Sequence, residues 1–398
     1  MLTYIEEAFY YCTDKMKKIL FVILLGILSL EAMAQDARIA HPFLWKSYYN
    51  PAYCASERML KIDLGAQSTY SHKPSLFLDS HFSVEVPLSS ENVAWGLGAK
   101  VSNQYQGSGL LNITSISPMV SVGMILYDRN PIHSILQVGV EFNSYSIKTN
   151  YDKMVFGDQL DPYYGLYKDF SEELSYFADD NFWVFDMAVG IYGQTQFSRY
   201  KRFPIVLKYG FSVFHLTSDK ERSFYSKEES TIYMPSFYNR RFCANVEYLH
   251  PIEIGRDRVV LGGYGLYEFQ GGMHDIQLGI NTSYKWFVLG LGAKVEQYEY
   301  PTADVSTGNP IKYDLTNLIF SATFSPQFKD KRYSLKLAYS FEFPVTQGFV
   351  SETSIHCLSL HFRYDYSSGY GTSGNSKFSC KKYNRPSDEA WYLFSNTY

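Results

Sequence analysis

The chain is short of charge, of clustered cysteine and of long apolar runs. Only 19% of its residues are charged, and Lys+Arg 36 against Asp+Glu 40 leaves a net charge of -4. That balance excludes a basic surface built to track nucleic-acid phosphates. Past residue 30 no apolar run approaches the roughly 20 residues that a membrane helix needs, so helical spans are excluded downstream of the N-terminus. Five cysteines are scattered with no C-x-x-C pair. Disulfides among Cys54, Cys243, Cys357 and Cys380 are open to an oxidising compartment, and the spacing does not choose a pairing. What the chain does have is aromatic side chains: 18% of residues, with 36 Tyr and 29 Phe. A disordered chain shows the reverse balance. Aromatic residues favour strands.

The N-terminus carries an export signal. Lys15, Lys17 and Lys18 form a positive region, residues 19–30 a short apolar region, and Ala32-Met33-Ala34 an A-x-A cleavage site. This pattern predicts a secretory signal peptide over 1–34, with Met16 as an alternative start, and a mature chain opening at Gln35.

The mature chain is a succession of alternating segments. In 333–343, Leu335, Leu337, Tyr339, Phe341 and Phe343 fall on one face, and Ser334, Lys336, Ala338, Ser340 and Glu342 on the other. The same period of two recurs at Leu136, Val138, Val140 and Phe142 against Gln137, Gly139, Glu141 and Asn143. About fourteen such segments are countable. They lie near 58–67, 78–87, 93–103, 117–127, 133–148, 182–195, 204–217, 240–250, 257–270, 274–284, 287–297, 315–326, 333–343 and 355–365. Most reach the roughly 9–11 residues that a tilted strand needs to cross a bilayer. The fold class this predicts is all-β: a transmembrane antiparallel barrel of about fourteen strands over 58–365.

Connection lengths carry a second signal. The long connections, 149–181, 218–239, 298–314 and 344–354, all follow odd-numbered segments, while short ones such as 128–132 and 285–286 follow even ones. Outer-membrane barrels have long outer loops and short periplasmic turns. A soluble sandwich shares the alternation but has no reason to sort its loops by parity. The polar faces carry both signs, including Lys61, Asp63 and Glu85 beside Lys100, Glu141, Asp186, Lys208, Lys294, Glu296, Lys336 and Arg363. A soluble core does not tolerate so many charges. A barrel lumen does, and mixed signs argue against a strongly ion-selective pore. We read these charges as facing a lumen filled by side chains and an N-terminal plug. Residues 366–398 open Gly/Ser-rich and predict a flexible tail, periplasmic by parity.

Catalytic motifs are missing. Gly369 to Ser376 has phosphate-loop spacing, but Asn375 stands where the lysine belongs. Gly96-Leu97-Gly98 and Gly290-Leu291-Gly292 lie within strands, where close backbone approach or curvature explains them. No G-x-S-x-G or H-E-x-x-H occurs. Cys357 and His361 share a polar face and read as isolated lumen residues rather than metal ligands. Asp179 and Asp180 read as solvated. The chain predicts no enzyme, no cofactor and no metal.

The informative segment is 35–56, QDARIAHPFLWKSYYNPAYCAS. Here the chain resembles the PorP/SprF family of type IX secretion system membrane proteins. That family typically opens with Gln-Asp and reaches an N-P-A-Y-A-G element after a fixed interval. Gln35-Asp36 and Asn50-Pro51-Ala52-Tyr53 match it; Cys54-Ala55 replaces Ala-Gly, and Trp45-Lys46 stands where Asn-Pro is frequent. Further similarity runs through 93–104, 138–147 followed by 156–162, 211–216 with its terminal His-Leu, 338–342 and 355–364.

The resemblance implies an outer-membrane component of the secretion and gliding apparatus of Bacteroidota. Some members serve secreted adhesins by engaging their C-terminal sorting domains, and others anchor a periplasmic motor ring. The expected partners are outer-membrane lipid and such a cargo domain or ring protein, with no nucleic acid. From its own residues, 35–57 reads either as a periplasmic-side plug centred on Asn50, Pro51, Ala52 and Tyr53 or as a purely structural strap. Loop tyrosines Tyr163, Tyr164, Tyr167 and Tyr176 suit protein contact or lipid headgroups. The alternative functions are a small-molecule porin and a structural adhesin.

Overall fold

A strand with one greasy and one polar side must hide one of them, and a closed barrel offers two environments for the two sides. The computed structural model describes residues 39, 44–57, 59–70, 77–89, 94–107, 111–129, 132–150, 155–161, 163, 165–169, 171–172, 181–197, 204–217, 239–255, 257–271, 273–303, 310–326, 333–345 and 354–364. The expected signal peptide and the expected 366–398 tail lie outside the described residues.

The barrel strands are β1 (Leu60–Tyr70), β2 (Phe77–Ser89), β3 (Ala94–Gln106), β4 (Leu111–Arg129), β5 (Ile132–Thr149), β6 (Asn181–Phe197) and β7 (Ile205–Phe214). They continue with β8 (Arg241–Ile254), β9 (Asp257–Gln270), β10 (Met273–Tyr284), β11 (Phe287–Ala303), β12 (Pro310–Phe324), β13 (Tyr333–Pro344) and β14 (Ser354–Tyr364). Each pairs antiparallel with its chain neighbours, and β14 returns to β1 in continuous register from Leu60↔Tyr364 to Tyr70↔Ser354. Closure leaves the sheet no edge. In lipid that is decisive, because each unpaired backbone group there costs several kcal/mol.

The burial pattern is inverted relative to a water-soluble protein. On β10, outward Ile276, Leu278 and Ile280 are 45%, 59% and 65% exposed, while inward Asp275, Gln277 and Asn281 are nearly fully buried. The same holds on β13, where Leu337 and Tyr339 face out and Ser334, Lys336, Ser340 and Glu342 face in. So broad an apolar exterior has lipid as its natural solvent.

All fourteen expected segments appear as strands, with differences at the ends. The segment expected over 117–127 begins at Leu111. Its outward Asn112 and Thr114 break the apolar face, and both bond to Asn103 of β3 through its Nδ2 (2.6 and 2.8 Å), so the ladder continues above the apolar band. The expected long connection 298–314 shrinks to 304–309. β11 runs on to Ala303 through a register shift after Glu299, an irregularity that Pro301 makes necessary because proline cannot donate to a ladder. The length asymmetry therefore rests on 150–180 and 215–240, both at the barrel end where odd strands finish. At the other end, only two residues separate β4 from β5, β8 from β9 and β10 from β11.

Candidate functional site

The lumen is occupied by the chain's own segment 44–57, which enters β1 from inside the barrel at the tight-turn end. Lys46–Tyr49 makes one helical turn, and Pro51–Tyr53 one 3-10 turn. Asn50 joins them in extended conformation. Its Oδ1 accepts from Ala52 N (2.9 Å), capping the second turn, while Pro51 presets the first φ. Cys54 N then donates to Pro51 O and Ser56 N to Tyr53 O. Ala55 closes the turn at φ 55, a left-handed position where glycine is favoured. This is the position where the related motif carries glycine.

The strap sits on glycines. A Cβ at Gly139 would collide with the Pro51 and Ala52 backbone, and one at Gly190 or Gly210 with the Asn50 amide, Gly190 also lying close to Pro51. A Cβ at Gly96 or Gly98 would meet Cys54, and one at Gly65 would enter the Trp45 ring. With side chains absent, the strap reaches the barrel backbone itself. Asn50 Nδ2 donates to Ile191 O at 2.9 Å, and Ser212 Oγ to Tyr49 O at 2.5 Å. Ser121 Oγ and Gln137 Nε2 both donate to Cys54 O at 2.7 Å, and Ala55 N donates to Glu85 at 2.9 Å. Asn245 donates to the Tyr53 hydroxyl, whose ring packs 4.2 Å from that of Tyr192. Arg241 donates to Tyr48 O, and its guanidinium lies over the Tyr48 ring. Trp45 meets the rings of His81 and His361 edge-on. At the strap's other end, Ile39 exchanges two backbone hydrogen bonds with the Tyr49 hydroxyl.

Ion pairs tie both ends. Lys46 Nζ lies 3.1 Å from Glu247, which also holds Lys208 at 3.4 Å. Burial is the largest influence on Lys46 and, with Lys208, lowers it to about 8 against the pull of Glu247. Glu57 lies 2.6 Å from Arg363. Burial opposes its ionisation, but Arg363, Lys61, Lys46 and Lys336 outweigh it and hold the carboxyl at about 2. Burial pushes the Cys54 thiol and Tyr53 hydroxyl well up, so neither ionises readily.

Of the charges read from the sequence, Lys208 and Arg363 reach the strap through these pairs, and Lys100 Nζ stands 5.3 Å from the Tyr48 ring centre while bonding Glu141 at 2.8 Å. Asp186 instead clamps the end of β7: it bonds His215 Nδ1 at 2.6 Å and accepts from Thr217. His215 has φ 60, which lets Leu216 N regain a bond to Met187 O. Lys294 lies among Glu296 (2.6 Å), Glu342 (3.1 Å) and Asp275 (3.9 Å). Lys336 is buried on β13 facing inward. His361 bonds Asp63 and Ser359, away from any Cys357 ligation, and among the described residues no cluster of metal-ligating side chains is present.

The 150–180 connection holds a second ordered unit. Asp158 accepts from Ser171 Oγ (2.5 Å) and Glu172 N (2.8 Å), and these bonds hold its carboxyl below the usual range. Gln159 ties Phe156 N to Lys168 O, and Leu160–Asp161 pairs with Gly165–Leu166. Tyr163 (93% exposed) and Tyr167 project from it; Tyr164, Tyr176, Asp179 and Asp180 lie outside the described residues.

The family model described as type IX secretion system membrane protein PorP/SprF matches residues 33–362. Among solved structures, a Pseudomonas aeruginosa FadL homologue is 13% identical, with 84% of this chain and 96% of that one covered and a TM-score of 0.41. The TodX monoaromatic hydrocarbon channel deltaS2 mutant is 10% identical, covering 85% and 96%, at a TM-score of 0.42. CdiB from Acinetobacter baumannii is 7% identical, covering 77% of this chain and 60% of that one, at 0.41. No curated protein sequence matches.

Proposed function

The chain belongs to the PorP/SprF family of type IX secretion system membrane proteins, and from that premise we propose that this outer-membrane barrel works by binding rather than by catalysis. Its partner is a secreted cargo's C-terminal domain or a protein of the periplasmic ring. The strap 44–57 is the plug that keeps the lumen shut while the partner is held. The observation that carries this reading is the fit of the strap to its seat: glycines on β1, β3, β5, β6 and β7 are bare where the strap's backbone and side chains lie. Leu44, Trp45, Tyr48 and Tyr49 share a buried apolar cluster with Phe214 and Leu266, and Tyr53 packs with Tyr192. Hydrogen bonds to a strand carbonyl and to lumen side chains add direction to that packing, an arrangement with a defined bound state. The barrel end where β5 and β7 finish faces the cell surface, and the end where β4, β8 and β10 finish faces the periplasm.

Deleting 36–53 tests the reading. Barrel assembly is scored by heat-modifiable migration, and secretion is scored separately. Assembled barrels with secretion lost or deregulated support the plug role. Normal secretion through assembled barrels reduces the strap to a structural part.

A further inference from the structure

Buried ammonium groups are kept only with a partner, because an unpaired charge away from water costs several kcal/mol. Lys336 breaks that rule. It is 1% exposed, faces inward on β13, and its Nζ has no hydrogen-bond partner among the described residues. Ser334, the next inward residue toward the tight-turn end, is buried with its Oγ equally unmatched. Thr323 near the end of neighbouring β12 and Ser325 just past it are also buried.

The surrounding carboxylates are committed elsewhere. Glu57 pairs with Arg363, Glu247 with Lys46 and Lys208, Glu85 with Lys61, and Asp63 with Lys61 and His361. The strongest charges acting on Lys336 are Arg363, Glu57, Lys46 and Lys208, three cations to one carboxylate. His361, opposite Lys336 in register, spends both ring nitrogens on Asp63 and Ser359. This corner of the lumen thus carries a cation surplus, one unmatched ammonium and a hydroxyl beside it.

We propose that Lys336, with Ser334 and the neighbouring Arg363, forms a binding site for a small oxyanion, a phosphate or a carboxylate, beneath the strap. Lys336 Nζ and Ser334 Oγ donate to the anion's oxygens, and Arg363 adds field without leaving Glu57. The site lies three residues inside the start of β13 at Tyr333, about 10 Å of strand from the tight-turn mouth. A free ion or the end of an extended chain reaches that depth; a lipid headgroup outside the wall does not. Because Glu57 and Lys46 belong to the strap, an anion here also neutralises the charge that the docked strap confines.

The test uses the full barrel in detergent, with inorganic phosphate, acetate and chloride compared at equal ionic strength. The unfolding midpoint of the wild type should rise saturably with phosphate or acetate and not with chloride; which of the two acts identifies the oxyanion. Lys336→Met should abolish the response, and without anion it should be at least as stable as the wild type, since it removes an unpaired buried charge. Lys336→Gln, which keeps a donor, should bind about tenfold more weakly or worse. Phosphorus-31 line broadening of phosphate by the wild type gives a second readout should a variant fail to assemble. A wild type whose midpoint is indifferent to both oxyanions and which does not broaden the phosphate line overturns the proposal and leaves Lys336 packed without a ligand. An unchanged response in Lys336→Met also overturns it, by placing the anion elsewhere.

Discussion

Gly139 and Gly190 stand directly opposite each other across the β5–β6 ladder, and Pro51 of the strap lies against both. Two bare positions side by side make a shallow seat in the wall. Both are inward strand positions that accept an L-residue's backbone conformation, so a substitution there acts on the strap and not on the strand.

Gly190→Val and Gly139→Val should therefore evict the strap from an intact barrel. Cys54 is the reporter, because its thiol is fully buried in the docked state. In a protein retaining Cys54 alone, maleimide labelling of the folded wild type should be slow and that of either variant fast, with unchanged heat-modifiable migration. Equal labelling rates would show that the seat does not hold the strap.

Asn50→Ala removes both the cap on Ala52 and the bond to Ile191. At about 1 kcal/mol for each bond, docking should weaken enough to raise the Cys54 labelling rate roughly tenfold or more. A rate within twofold of wild type would place the strap's stability elsewhere, in Trp45 or Tyr53.

Ala55→Gly acts in the opposite sense. At φ 55 alanine bears a left-handed penalty of about 1–2 kcal/mol that glycine escapes. The variant should label more slowly than wild type; faster labelling would mean that the Ala55 methyl, against Gly96, matters more than the backbone.

Acid should loosen the strap. The docked Glu57 sits at about 2, below an ordinary carboxyl near 4.3. Its contribution is present above the ordinary value and lost as pH falls through that value toward 2. Lys46, held at about 8, also sits below its ordinary value, so the docked form binds fewer protons there and docking strengthens between about 8 and 10.4. Docking is thus flat near neutrality and weakest in acid. Conductance that appears in planar bilayers only below about pH 4.3 is the expected outcome, and Glu57→Gln should leak already at pH 7. A leak that grows instead from pH 8 to 10 would contradict this pH dependence.

Much of the fold is legible in the sequence because lipid and lumen demand opposite faces of every strand, and a period of two records that demand residue by residue. Strand ends are less legible where polar residues appear on the outward face, as at Asn112 and Thr114. The strap is legible as a unit, and its seat is not. Gly96-Leu97-Gly98 and Gly290-Leu291-Gly292 read alike, yet the first pair faces Cys54 and Ala55, while the second faces Asn281, Ser321 and Tyr264. A missing side chain gives no sign of what fills its place. The same holds for Lys46 and Glu247, whose pairing crosses the lumen and has no local signature.

The outer-loop unit makes a separate claim. If the proposed cargo docks here, Tyr163→Ala with Tyr167→Ala should cut its co-purification by about tenfold, the loss of one interface anchor, with assembly unaffected. An unchanged yield would direct attention to 215–240 or to the periplasmic mouth.

The most direct test of the account is single-channel recording on the purified barrel at neutral pH. A plug held on a glycine seat predicts a silent wild type and steady, large conductance from Gly139→Val or Gly190→Val. A wild type that conducts steadily, with the glycine variants no different, would contradict the plug and favour an open porin.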